Sequence, residues 1–265
     1  MKKTYELNYG NKATINTGNY ENLSPMFNIK TIVETNGEAI DIKAEFETMK
    51  KLVEEQLNQA IQEVKDKEKL KLLTNVRFYE RDGKKYPSVT SIISMGEKLD
   101  IPNIDLYSLR GELLHKIPSQ YIKEGVLYTK IEEDLKKKLL PIGGIDEHLK
   151  YLSYITEDER MVFKNSEVEV FNDEHLYAGR YDADGTFDKE ISFVDFKSGE
   201  LNKNRTEEAF MQLAAYAKCH NDVKTIVIYP INHKSKKEPI VTNDIDKYFS
   251  LFLVKREEFK KKFGI

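Results

Sequence analysis

The feature that most limits how this chain can fold is a change of hydrophobic period between residues 167 and 229. Glu167 to Phe171, Leu176 to Phe187 and Ser192 to Lys197 read as strands, the second around an Asp184-Gly185 turn or bulge. Thr206 to His220 then reads as an amphipathic helix, and Thr225 to Tyr229 as a buried strand. Strands, then a helix, then a strand predict a mixed sheet with a crossover. In the third strand the alternation puts Val194 and Phe196 into apolar packing and leaves Asp195 and Lys197 together on the other face. A hairpin through Asp188-Lys189-Glu190 would let the Asp182 carboxylate face Asp195.

Upstream, residues 1 to 45 alternate β-like stretches (Thr14 to Asn16, Phe27 to Val33, Ala39 to Ile42) with turn signals at Tyr9-Gly10-Asn11, Thr17-Gly18-Asn19 and Asn36-Gly37. Phe46, Met49, Val53, Leu57, Ala60 and Val64 then lay one apolar stripe along a long, charge-rich helix. The reading is a small β-then-helix module over residues 1–75, followed by a larger domain over 76–265. In the larger domain, Asp82-Gly83 is a hairpin turn, and Ile92, Ile93 and Met95 begin a short helix. A second helix is expected from Asp105 to about Ile117, stopped by Pro118. Its stripe of Leu106, Leu109, Leu113 and Ile117 leaves Gly111 and His115 on another face. Residues 130–165 are expected to be mostly helical with a break at Pro141-Ile142-Gly143-Gly144, and Ile245 to Phe263 to form a terminal helix.

Composition removes several classes. With 265 residues and 40% hydrophobic content, the chain can bury a core. One cysteine, Cys219, excludes a disulfide framework within the chain, a four-cysteine zinc site and a four-thiolate iron–sulfur cluster. No apolar run approaches the roughly 18 residues that span a bilayer, and the first residues lack a signal-peptide apolar region, so a cytoplasmic protein of a bacterial or phage-infected cell is expected. A net charge of −3 from 42 Lys+Arg and 45 Asp+Glu argues against coating polyanions but leaves room for a local nucleic-acid site.

Two close carboxylates repel unless a cation lies between them, and hard oxygen donors favour Mg²⁺ or Mn²⁺ over zinc. A neighbouring lysine can orient a water and neutralise charge on a phosphate, which is the chemistry of phosphodiester hydrolysis. An isolated Asp-x-Lys is also a common surface salt bridge, so the spacing alone leaves both readings open.

The motifs around it come in the order of the PD-(D/E)xK nucleases, and the chain resembles their RecB-like exonuclease branch from about Arg77 to Tyr229. Tyr86-Pro87-Ser88-Val89-Thr90 is similar to the PSVT segment of that branch, and Arg110-Gly111-Glu112-Leu113-Leu114-His115 to its R-G-x-x-x-H helix. Ser166-Glu167, Gly179-Arg180-Tyr181-Asp182, Val194 to Gly199 and Gln212-Leu213-Ala214-Ala215-Tyr216 match its sE, G-x-x-D, D-x-K and Q-x-x-x-Y elements. The resemblance implies a restriction-endonuclease-like α/β core, a mixed central sheet flanked by helices. It implies that His115, Asp182, Asp195 and the Phe196 carbonyl bind Mg²⁺ or Mn²⁺, with Lys197 at the attacking water and Glu167 at a second metal or water. Gln212 and Tyr216 would support the catalytic strand or touch the scissile phosphate, and Ser88, Thr90 and Arg110 would hold DNA phosphates. No iron–sulfur cluster is expected, since the flanking cysteines of many relatives are missing.

The implied activity is a metal-dependent deoxyribonuclease acting as an exonuclease at single-stranded DNA ends in replication or recombination. The first 75 residues would bind DNA or a replication or recombination protein, or dimerise, and no membrane partner is expected. Two alternatives accompany this reading: a nuclease-fold protein that holds a DNA end or partner without cutting, and a structure-specific endonuclease. Lys136 to Lys138, Lys234 to Lys237 and Lys260 to Lys262 could attract a DNA backbone. His148, His175, His220 and His233 lack a companion pattern and are expected to be solvated, and Cys219 to be a small packing residue.

Overall fold

The computed structural model describes residues 3–18, 21–35, 41–97, 101–232 and 238–265. The Asn36-Gly37 turn, residue 19 of the Thr17-Gly18-Asn19 signal, His233 and the Lys234 to Lys237 stretch lie outside them. The chain divides into two compact units, Met1–Thr74 and Asn75–Ile265.

The first unit pairs β1 (Lys3–Lys12) with β4 (Met26–Thr35) as an antiparallel ribbon, with the short strands β2 (Ile15–Gly18) and β3 (Glu21–Leu23) between them in sequence. Tyr9-Gly10-Asn11 makes no turn: all three lie within β1. A Cβ on Gly10 would fall 1.7 Å from Asn28 Oδ1 on the facing strand, so that exposed side chain would have to turn aside. Helix α1 (Ile42–Leu73) is capped by the Asp41 carboxylate, which accepts from the amides of Lys43 and Ala44. Met49, Val53 and Leu57 of the expected stripe are buried, while Phe46 at its N-terminal end is exposed and meets Tyr9 edge-on.

In the second unit, β5 (Phe78–Arg81) and β6 (Lys84–Pro87) form the expected hairpin, with Asp82 and Gly83 at φ +53° and +72°. Ser88 caps α2 (Val89–Ile93). Helix α3 (Ile104–Glu124) corrects the expectation of a stop at Pro118, which lies inside it. Ile117, Pro118 and Ser119 are all buried, so packing offsets the roughly 3 kcal/mol that an internal proline costs. Helices α4 (Glu133–Leu139) and α5 (Asp146–Glu157) flank a 3₁₀ turn at Leu140–Ile142 that ends on Gly143 and Gly144.

The central sheet has five strands in the order β11-β10-β9-β8-β7: β7 (Met161–Asn172), β8 (Tyr177–Phe187), β9 (Glu190–Lys197), β10 (Thr225–Pro230) and β11 (Ile240–Thr242). Only β9 and β10 are parallel, and α6 (Lys203–Ala217) is the crossover between them. β7 begins six residues before the expected Glu167, ending the helical stretch at Glu157. Met161-Val162-Phe163 is a short apolar run that suits either element, and pairing with Phe187, Thr186 and Gly185 of β8 makes it a strand. Asp184-Gly185 lies within β8, the register shift opposite falling between Phe163 and Asn165 of β7. A Cβ on Gly185 would stand 2.0 Å from the Val162 carbonyl.

One sheet face packs Val194, Phe196, Val227 and Tyr229 against Leu114 and Ile117 of α3 and Leu152 and Ile155 of α5. His148 is buried in this region, at 3% exposure, against the expectation that it is solvated. α6 packs on β8, β9 and β10, with α7 (Ile245–Phe263) against α6. Among the described residues no helix is long and apolar enough to cross a membrane.

Candidate active site

The site forms where β8 and β9 part. Their ladder runs from Phe187 and Glu190 to Ala183 and Val194. Beyond it the Asp182 carboxylate replaces the backbone partner: its Oδ2 accepts from the Phe196 amide at 2.7 Å. The same oxygen lies 3.1 Å from His115 Nδ1, reached from α3. Alternation along β9 turns Asp195 away from the apolar core of Val194 and Phe196 and toward α6. There Gln212 Nε2 donates to Asp195 Oδ1 at 3.2 Å, and Gln212 Oε1 accepts from Lys197 Nζ, also at 3.2 Å. Asp195 Oδ2 is buried and forms an ion pair with Lys197 Nζ at 2.7 Å.

The charges are strongly coupled. Burial, over the pull of Lys197 and aided by Asp182, pushes the Asp195 carboxyl up to about 6. Burial also pushes on Asp182, but His115, Lys197 and the Phe196 amide together hold its carboxyl below the usual range. His115 and Lys197 are both raised, because the two aspartates outweigh the burial that disfavours their charged forms.

Tyr216 lies one turn beyond Gln212 on α6 and is 2% exposed. Its ring fills the space above Gly179, where a Cβ would sit 2.3 Å from Tyr216 Cε1. That contact explains why a glycine precedes Asp182 by three positions. Gly111, by contrast, faces only Ser198 Oγ, at 3.7 Å. Glu167 holds φ +59° within β7, where a left-handed backbone costs a non-glycine residue about 1–2 kcal/mol. Its carboxylate pairs with Arg180 Nε at 2.7 Å, across the ladder.

These groups open on a cleft of about 490 Å³ lined by His115, Glu167, Asp182, Gln212, Tyr216 and Thr90. Two other expected residues are not brought to it. Ser88 is buried, its hydroxyl accepting from the Ser91 amide and donating to the Ser91 hydroxyl. Arg110 donates from Nη1 to the carbonyls of Ile142 (2.8 Å) and Gly144 (3.2 Å), closing the turn between α4 and α5. The cleft adds Arg77, Tyr79, Lys116 and Arg180, which sequence reading did not single out. Arg180 had a signal in its place between Gly179 and Asp182, but its partner Glu167 depends on register. Of the lysine runs, Lys136 pairs with Glu133 and Asp146, Lys137 with Asp134, and Lys262 reaches the Met95 carbonyl and Glu97.

Among the described residues no three His, Cys, Asp or Glu side chains converge as a ready metal-holding group. The donors at hand are the His115 imidazole and the buried carboxylates of Asp182 and Asp195, and the hard carboxylate oxygens suit Mg²⁺ or Mn²⁺. No protein-family model matches the chain, and neither does any curated protein.

Proposed function

We propose that the chain is a divalent-metal-dependent deoxyribonuclease of the PD-(D/E)xK type, an exonuclease of the RecB-like branch acting at single-stranded DNA ends. The observation that carries this reading is the single cluster joining His115 of α3, Asp182 of β8, Asp195 and Lys197 of β9 and Gln212 of α6. Four of the motifs behind the resemblance meet in it. His115, Asp182 and Asp195 would hold Mg²⁺ or Mn²⁺, with the Phe196 carbonyl as a further donor. Such a cation supplies Lewis-acid polarisation of the phosphate and a more acidic bound water. Lys197 donates to the attacking water or the phosphate oxygen, and Gln212 fixes both the ammonium and the Asp195 carboxylate in rotation. Tyr216 and Thr90 line the approach, and Glu167 with Arg180 sits at its rim.

The test is an end-labelled single strand incubated with Mg²⁺ or Mn²⁺. A product ladder is expected, with covalently closed single-stranded circles left intact and Lys197→Ala slower by about 10²–10³-fold. A Lys197→Ala protein that degrades the strand at the wild-type rate would sink the reading. The alternative is a protein of this fold that holds DNA ends without cutting. Tight DNA binding with no cleavage of single-stranded, duplex or flap substrates in either metal would establish it.

A further inference from the structure

A second cavity, of about 750 Å³, adjoins the cleft and shares two lining residues with it, Thr90 and Gln212. The two cavities divide the chemistry. His115 and Asp182 line the first, whereas Lys197 lines the second. A phosphate placed beside the shared residues Thr90 and Gln212 would lie between the two sets of groups, with an ester arm free to enter each cavity. The second cavity carries Arg205 and Lys255 beside Lys197 on its wall, with the carboxylates of Glu97, Glu200 and Glu208 also lining it and Ile93, Met95 and Leu201 giving it an apolar side. Arg205 is anchored by donating from Nη1 to the Glu200 carbonyl at 3.2 Å, and its guanidinium lies against Gly199, where a Cβ would meet Nη1 at 3.4 Å. The Lys255 ammonium pairs with the Glu258 carboxylate at 3.5 Å, and its side chain is 41% exposed.

Resting on the nuclease reading, we propose that this second cavity is the binding site for the nucleotides on one side of the scissile bond. Arg205 and Lys255 take the neighbouring phosphates, and Ile93, Met95 and Leu201 take a base face. Charged donors on one wall and apolar contacts on the other are what a single strand, with its bases unpaired, can satisfy together. At about 490 and 750 Å³ the cavities fall within the roughly 300–1,000 Å³ of sites that enclose small ligands, which fits a nucleotide or two each. Single-strand preference on this account comes from base faces that only an unpaired strand can offer to the apolar wall.

The test compares two substrates in the full chain: an oligodeoxythymidine and the p-nitrophenyl ester of thymidine monophosphate, which has no further phosphate. The double variant Arg205→Ala, Lys255→Ala should lower the ratio of their kcat/KM values, oligonucleotide over ester, at least tenfold. Oligonucleotide binding, measured by anisotropy with Asp195→Asn in the background, should lose about 1.4 from its salt slope, at roughly 0.7 per single-strand phosphate contact. The charge-keeping pair Arg205→Lys, Lys255→Arg should restore both quantities, which excludes misfolding as the cause. A ratio within twofold of wild type, or an unchanged slope, overturns the proposal while the nuclease reading stands. A wild-type protein that hydrolyses neither substrate with Mg²⁺ or Mn²⁺ overturns both.

Discussion

Replacing Gly179 by alanine puts one methyl group where the Tyr216 ring already lies. The added Cβ would stand 2.3 Å from Cε1, 2.9 Å from Cζ and 3.0 Å from the phenol oxygen. Carbon atoms rest at about 3.5–4.0 Å, so the ring must retreat by roughly 1.2 Å or more. Tyr216 is 2% exposed, so its ring is held by packed neighbours over nearly all of its surface. Overpacking of this size costs about 1–3 kcal/mol. Removing a glycine from a strand returns about 0.5–1 kcal/mol. A net loss near 1–2 kcal/mol lowers the melting temperature by about 2–8 °C in a domain of 150–250 residues. Thermal unfolding followed by near-ultraviolet circular dichroism of the tyrosines reads the effect in the larger unit. Adding Tyr216→Leu to Gly179→Ala should recover at least half of it, because the clash is with the ring. Gly111→Ala is the matched control: its Cβ meets only Ser198 Oγ at 3.7 Å, so the helix gains up to about 1 kcal/mol in propensity. A Gly179→Ala protein that melts within a degree of wild type would refute the steric account of this glycine.

Three further outcomes are expected. Arg110→Ala should destabilise the larger unit by about 2 kcal/mol in urea titration through two lost bonds to carbonyls, while the salt dependence of DNA binding stays as in wild type. Gln212→Ala frees both Asp195 and Lys197, and kcat should fall by about 10–10²-fold with less change in KM, whereas a pure KM effect would show that Gln212 only contacts substrate. Asp158 is pushed up by burial but held below the usual carboxylate range by Arg160 and Tyr229, so its stabilisation is complete above an unfolded value near pH 3.9 and disappears as pH falls through the lower folded one. Urea midpoints measured from about pH 5 down to 2.5 should fall less steeply for Asp158→Asn than for wild type.

Elements with a strong local signal were legible in the sequence. The Asp82-Gly83 hairpin needs two residues that accept positive φ, and α7 has an apolar stripe with no competing breaker, so both lie where the sequence puts them. Pro118 was misread because a proline penalty is local and the burial that outweighs it is not. The start of β7 was missed for a related reason: Met161 to Phe163 acquire a strand conformation only from pairing with β8. In the candidate site, the residue types of His115, Asp182, Asp195, Lys197 and Gln212 were legible, and the structure brings them together. Ser88 and Arg110 were not, since a hydroxyl beside a helix start and a guanidinium above a turn can be used up by backbone groups that sequence does not locate. Arg180 escaped because its partner depends on which residues of β7 and β8 sit opposite each other.

The β8-β9-α6 segment also bears on how the site is assembled as the chain folds. The bonds from Asp182 to Phe196, Lys197 to Gln212 and Gln212 to Asp195 span only 14, 15 and 17 positions. Closing loops of that length costs little more entropy than forming a hairpin, and the cost grows only slowly with length. Most of the charged cluster can therefore form within one β-hairpin and the helix after it, before distant parts of the chain arrive. His115 belongs to a helix on the far side of β7 in sequence and joins by a much longer closure. Its contact with Asp182 adds a polar tie to the apolar packing of Leu114 and Ile117 that holds the same helix on the sheet.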